Sequence, residues 1–143
     1  YMEQTESNSA PGPGVDLLAA LDSHFSERLV MTGSDGARIA CRIGGTRGPV
    51  IVLLHGISSG AASWLPCASL LAGHARVIAW DAPGYGQSTP LPMSAPTARD
   101  YAMQLAAMLD ALQVRPDRIV GHSLGALMAA GYAAHAPAAC RAG

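Results

Sequence analysis

Arg118-Ile119-Val120-Gly121-His122-Ser123-Leu124-Gly125 is the stretch on which the fold turns. Arg118-Ile119-Val120 reads as a buried strand, and it runs straight into a Gly-x-Ser-x-Gly turn. Small and apolar residues follow, Ala126-Leu127-Met128-Ala129-Ala130, and these suit a helix. A strand that turns sharply into a helix lifts the Ser123 oxygen clear of the sheet. Gly121 and Gly125 remove side chains where strand and helix backbones pass close together. Ser123 then stands at a helix N-terminus, where unbonded N–H groups favour developing negative charge. In a chain with 16 glycines a lone Gly-x-Ser-x-Gly carries little. The strand before and the helix after favour a nucleophile over an ordinary helix N-cap.

Composition bounds the alternatives. A chain of 143 residues can bury one modest core, and so one domain at most. Formal net charge is −1, charged residues make up 13 %, and no Lys/Arg cluster occurs, so nothing electrostatic recruits nucleic acid or an anionic membrane surface. The longest apolar runs, such as Val50-Ile51-Val52-Leu53-Leu54, are far too short to span a bilayer. No charged-then-apolar leader opens the chain, and the expected location is the cytoplasm. Cys41, Cys67 and Cys140 are widely spaced without a Cys-x-x-Cys. Reduced thiols are expected, with neither a disulfide framework nor a metal site, and no cofactor is implied.

Along the chain, strands and helices alternate. Residues Tyr1 to Gly14 are rich in Glu, Gln, Ser, Asn, Pro and Gly and read as a disordered leader. Residues 15–143 read as part of a single domain, with a short helix expected over Val15 to Leu21. Ser26 to Thr32 and Ala37 to Ile43 read as two strands joined by a turn at Gly33-Ser34-Asp35-Gly36. Val50 to Leu54 and Arg76 to Trp80 read as buried strands, with a helix over Ala61 to Ala72 between them. Thr97 to Gln113 has helical periodicity through Tyr101, Leu105, Met108, Leu109 and Leu112, and Pro116-Asp117 ends it. A hairpin followed by alternating strands and helices predicts an α/β fold, its sheet parallel after the first strands.

Three motifs resemble the α/β-hydrolase family, each at the end of a predicted strand and in that family's order. They are His55-Gly56, Asp81-x-Pro-Gly-x-Gly-x-Ser88 and Gly121-x-Ser-x-Gly125, the last being the family's nucleophile elbow. The resemblance runs from about Ser26 to about His135 and is nearest to the esterase, lactonase and carbon–carbon-bond hydrolase branch. It implies the α/β-hydrolase fold, a mostly parallel sheet with flanking helices. It also implies a serine hydrolase that takes a small-molecule acyl substrate through an acyl-enzyme at Ser123. The implied oxyanion-hole donors are the backbone N–H groups of Ile57 and Leu124. The loop reads His-Gly-Ile-Ser, which separates it from the His-Gly-Gly-Gly lipases and esterases.

The other candidates have plainer readings. In the family His55 opens the oxyanion loop and orders its turn. Side chains adjacent around the elbow point apart, so His122 is read as structural. His24, His74 and His135 have no partner spacing and are read as surface or boundary residues. Asp81 precedes the serine, whereas triad order in this fold is Ser, acid, His; it is expected to brace its own loop by turn hydrogen bonds. Trp64 is expected in the core, with a substrate-pocket wall as the alternative. A dinucleotide-binding unit is excluded because His55-Gly56-Ile57-Ser58-Ser59-Gly60 lacks the middle glycine of Gly-x-Gly-x-x-Gly. Haloalkane dehalogenase chemistry requires a carboxylate where Ser123 stands.

After Ser123 the sequence contains no Asp or Glu, and its only histidine is His135. The expectation is therefore an N-terminal portion of a hydrolase, ending after the elbow helix. The triad acid, the triad His and any lid would lie in a further stretch of roughly a hundred or more residues. The alternatives are a non-catalytic, receptor-like binding protein on the same scaffold, or an inactive fragment.

Overall fold

The β3 run Val50–Leu54 is apolar at every position because both faces of the sheet are covered. Val52 and Leu54 face one core cluster, and Leu53 faces the other. The same alternation runs along β4 (Arg76–Trp80), with Ile78 and Trp80 on one side and Val77 and Ala79 on the other. These features come from a computed structural model that describes residues 24–136. The expected leader, the expected helix over Val15 to Leu21, and Cys140 lie outside the described residues.

Strands β1 (Glu27–Met31) and β2 (Arg38–Gly44) form the antiparallel hairpin expected from the sequence. Its turn is closed by Thr32 N–H donating to Ala37 O at 2.9 Å and by Ala37 N–H donating to Asp35 Oδ1 at 3.1 Å. The five-stranded sheet has the order β1-β2-β4-β3-β5, with β5 at Arg118–Gly121. β2 meets β4 antiparallel, whereas β3 runs parallel to both β4 and β5. The chain thus has the mostly parallel α/β sheet that the alternation of elements implied.

The segment expected as one helix over Ala61 to Ala72 divides in two. A 3₁₀ turn, Ala61–Trp64, precedes helix α1, Leu65–Leu71. Pro66 lies in the first turn of α1, where its missing N–H costs no hydrogen bond, and this places the α-helical start later than periodicity alone suggests. Helix α2 (Ala98–Ala111) starts at Thr97, which forms a reciprocal capping box with Asp100. The backbone and hydroxyl of Thr97 donate to the Asp100 carboxylate and hold its pKa below the usual value. Ala102, Leu105, Ala106, Met108 and Leu109 form its buried stripe. Helix α3 (Leu124–His135) follows the elbow and packs on α2, where Gly131 lies so close that a Cβ would meet Ala98 O at 2.7 Å.

Of the thiols, Cys41 is fully buried on β2 and Cys67 is exposed on α1. Burial pushes the Cys41 thiol up to about 11, which keeps it protonated and unreactive at neutral pH. No helix of the described residues is long and apolar enough to cross a membrane. No group of three or more His, Cys, Asp or Glu among the described residues converges as a metal site would.

Candidate active site

Parallel pairing of β3 with β5 aligns the two loops that leave their C-terminal ends. Leu54 is the Cα partner of Gly121, and Ile57 and Leu124 each stand three residues beyond that pair. His122 N–H extends the ladder by donating to Leu54 O at 3.1 Å. The loops then touch: a Cβ on Gly56 would lie 3.0 Å from Ser123 Cβ and 3.2 Å from His122 O. A Cβ on Gly125 would press into Leu54 O and lie 2.8 Å from His55 O. One on Gly121 would collide with the Gly125 backbone. Close approach, more than backbone freedom, therefore explains these glycines.

Ser123 has φ 58° and ψ −120°, a conformation that L residues rarely adopt. Gly125 N–H donates to His122 O and Ala126 N–H to Ser123 O, both at 2.9 Å, fixing the turn into α3. The Ser123 side chain makes no capping hydrogen bond, so an N-cap role does not account for it. Neither Ile57 N–H nor Leu124 N–H has a hydrogen-bond partner among the described residues. Leu124 opens α3, where an N–H has no intrahelical acceptor. Two unpaired donors thus stand on the loops that meet at Ser123.

His55 is 1 % exposed and belongs to the loop's framework. Its Nε2 accepts from Ala82 N–H at 3.0 Å, which leaves the proton on Nδ1 to donate to Gly56 O at 2.8 Å. Tyr85 packs edge-on against its ring at 4.8 Å. The buried imidazole thereby links the loop after β3 to the loop after β4.

Asp81 departs from expectation in its partner. Its Oδ1 accepts from Ala61 N–H at 2.8 Å, so it braces the loop after β3 and not its own turn. The brace of its own loop comes from Ser88, which sequence reading treated only as the end of a motif. Ser88 Oγ accepts from Ala40 N–H at 2.9 Å and donates to Asp81 O at 2.5 Å.

His122 is exposed, and its Nδ1 lies 3.3 Å from the Cβ position of Gly56, which also lies beside Ser123 Cβ. The His122 ring and Ser123 therefore flank one glycine. Trp64 packs, half-buried, against the α1-side core as expected, and it also lines a recess with Ser59, Ser63 and His122. Its indole N–H is buried without a partner among the described residues. His24, His74 and His135 are exposed. His135 ends α3, roughly 18 Å along the helix from Ser123 at a rise of about 1.5 Å per residue.

Residues 49–143 match the alpha/beta hydrolase fold family. The (E)-2-((N-methylformamido)methylene)succinate hydrolase of Acinetobacter baylyi is 33% identical over 90 residues, 63% of this chain and 34% of that protein. A fluoroacetate dehalogenase from a Burkholderia species is 34% identical over 106 residues, 71% of this chain and 34% of that protein. The crystal structure of E-2-(acetamidomethylene)succinate hydrolase superposes with a TM-score of 0.68 at 35% identity, covering 78% of this chain and 40% of that one. The chain thus spans about a third of the length of the curated relatives it matches.

Proposed function

The chain belongs to the alpha/beta hydrolase fold family, and from that premise we propose that it carries the nucleophile and oxyanion hole of a serine hydrolase. Ser123 Oγ attacks the carbonyl carbon of a small acyl substrate while a base takes its proton. The tetrahedral oxyanion then accepts from Ile57 N–H and Leu124 N–H. Collapse expels the leaving group with a proton, and water releases the acid from the acyl-enzyme. One oxyanion donor of this kind lowers the barrier by about 3–4 kcal/mol. The substrate enters without metal, cofactor or nucleic acid.

The observation that carries this reading is the meeting of Ser123 with Gly56, which brings two unpaired N–H groups to a serine held in a strained turn. A serine at position 123 favours acyl transfer over the carboxylate displacement of haloalkane dehalogenases. The triad acid and His are assigned to residues outside this 143-residue stretch. That assignment is supported by the lack of any Asp or Glu after Ser123 and by the remoteness of His135.

A p-nitrophenyl acyl ester and a fluorophosphonate probe test the proposal together. The full-length protein should hydrolyse the ester and lose turnover on Ser123→Ala, whereas the 143-residue chain alone should label negligibly. An unchanged rate in the alanine variant would sink the nucleophile assignment. Rapid stoichiometric labelling of the isolated chain would place a base within it. Ligand binding without turnover would restore the receptor-like alternative.

A further inference from the structure

The loop that carries Ile57 hangs from two consecutive residues, Asp81 and Ala82, just past the end of β4. His55 Nε2 accepts from Ala82 N–H at 3.0 Å, and the same ring donates to Gly56 O at 2.8 Å, which ties the loop at its entry. Asp81 Oδ1 accepts from Ala61 N–H at 2.8 Å, which ties it at its exit. Between those ties Ile57, Ser58 and Ser59 make no hydrogen bond among the described residues. Ser58 nevertheless stands at φ 57°, in the left-handed region. A residue strained in this way persists where its surroundings impose the conformation. Here the hydrogen-bonded constraint comes from the two ends.

Asp81 is itself firmly held. Its N–H donates to Ala40 O at 2.8 Å, and its carbonyl accepts from Ser88 Oγ. Its carboxylate lies between two glycines. A Cβ on Gly60 would lie 2.9 Å from Oδ1, and one on Gly86 would lie 2.8 Å from Oδ2. Gly60 has an extended backbone, φ −179°, that any residue adopts. Room for the carboxylate therefore explains that glycine better than backbone freedom does.

We propose that Asp81 is a positioning residue for oxyanion stabilisation: through Ala61 N–H it fixes the loop that presents Ile57 N–H beside Ser123, without touching substrate. The inference rests on the serine-hydrolase reading above. Removing the carboxylate frees the exit of the loop, the turn at Ser58 relaxes, and Ile57 moves with it. Gly56 stays tied to His55, so the fold of the loop's entry survives. The loss falls on the transition state, where the oxyanion forms, and not on binding of the uncharged ester.

The test uses the full-length protein and a p-nitrophenyl acyl ester. Turnover is expressed per site labelled to completion by a fluorophosphonate, so unfolded protein does not count. Asp81→Ala should lower kcat at least about tenfold with KM within about threefold, part of the roughly 10²–10³ that losing a whole oxyanion donor costs. Asp81→Asn keeps an acceptor for Ala61 N–H and should restore kcat to within about threefold of the wild type. Gly60→Ala leaves Asp81 in place but presses on Oδ1, and it should lower kcat in the same sense. That variant decides the matter where Asp81→Ala does not fold. A trifluoromethyl ketone, whose serine adduct carries the oxyanion, should lose affinity in step with kcat/KM. Wild-type kcat per site in the deciding variant, a loss confined to KM, or an asparagine variant as slow as the alanine one overturns the positioning role. With any of these, turnover that still depends on Ser123 leaves the serine reading standing. Turnover that survives Ser123→Ala removes that reading, and the positioning role with it.

Discussion

Ser123 combines two properties that pull against each other. Its side chain is the one the proposed chemistry needs, yet its backbone, at φ 58° and ψ −120°, suits a residue without a Cβ. Such conformations cost of order 1–3 kcal/mol each and persist where surrounding structure over-determines them. Here the over-determination is visible: His122 N–H is tied to Leu54 O, and the next turns are tied to His122 O and Ser123 O. Ser123→Gly should relieve the strain while Ser123→Ala retains it. The glycine variant of the full-length protein is therefore expected to be more stable than the alanine variant by about 0.5–2 kcal/mol, net of the extra chain entropy of glycine. Urea denaturation midpoints decide this, and an alanine variant equal to or above the glycine one would refute the strain. The serine was legible in the sequence because strand, glycines and helix all lie within a few residues of it. Asp81 and His122 were not fully legible. Asp81 meets Ala61, 20 residues earlier, and His122 meets Gly56, and no local pattern encodes either contact.

Among the elements, the pairing of β3 with β5 matters most, since a slip of one residue would carry Leu124 away from Ile57. Asp117 pins that register from the entry end. Its N–H donates to Val50 O and its Oδ2 accepts from Val50 N–H, both at 2.8 Å. Asp117→Ala removes the acceptor and leaves a partly buried N–H unpaired, at an expected cost of about 1–2 kcal/mol. Asp117→Asn keeps an acceptor oxygen and should recover much of that loss. Thermal or urea unfolding of the two variants separates the outcomes; an alanine variant as stable as the wild type would show that the clip contributes nothing. Periodicity exposed the strands and α2 because apolar residues there recur at the period of the element. The capping box of α2 is likewise written locally, as Thr97 and Asp100. The division of the 61–72 segment was less visible, since small residues suit a 3₁₀ turn and an α-helix alike and only Pro66 marks the change. Asp117 reads in sequence as a helix breaker, and its role as a clip depends on a strand 67 residues away.

At the scale of the molecule, the candidate site sits on the margin of the described sheet. β5 has a strand neighbour only on its β3 side among the described residues, and Val120 is 43 % exposed there. A hollow of about 310 Å³ between β5 and α3 continues the margin, lined in part by Ile119, Ala129 and Tyr132. An uncovered apolar strand edge offers unpaired N–H and C=O groups to any second strand, and natural proteins blunt such edges with charge. The apolar pair Ile119-Val120 that marked this strand in the sequence thus also makes it a pairing template. The isolated 143-residue chain is accordingly expected to self-associate, with Val120→Lys shifting it toward monomer by placing a charge on the edge. Sedimentation velocity over a range of concentrations reads both species. A wild-type chain that stays a monodisperse monomer would mean that the edge is already protected, and equal association in the lysine variant would place the contact on another surface. The β1 margin, where Leu29 and Met31 are 50% and 57% exposed, supplies the internal comparison. Met31→Lys should leave association unchanged if β5 alone templates it, which ties the prediction to the strand that leads into Ser123.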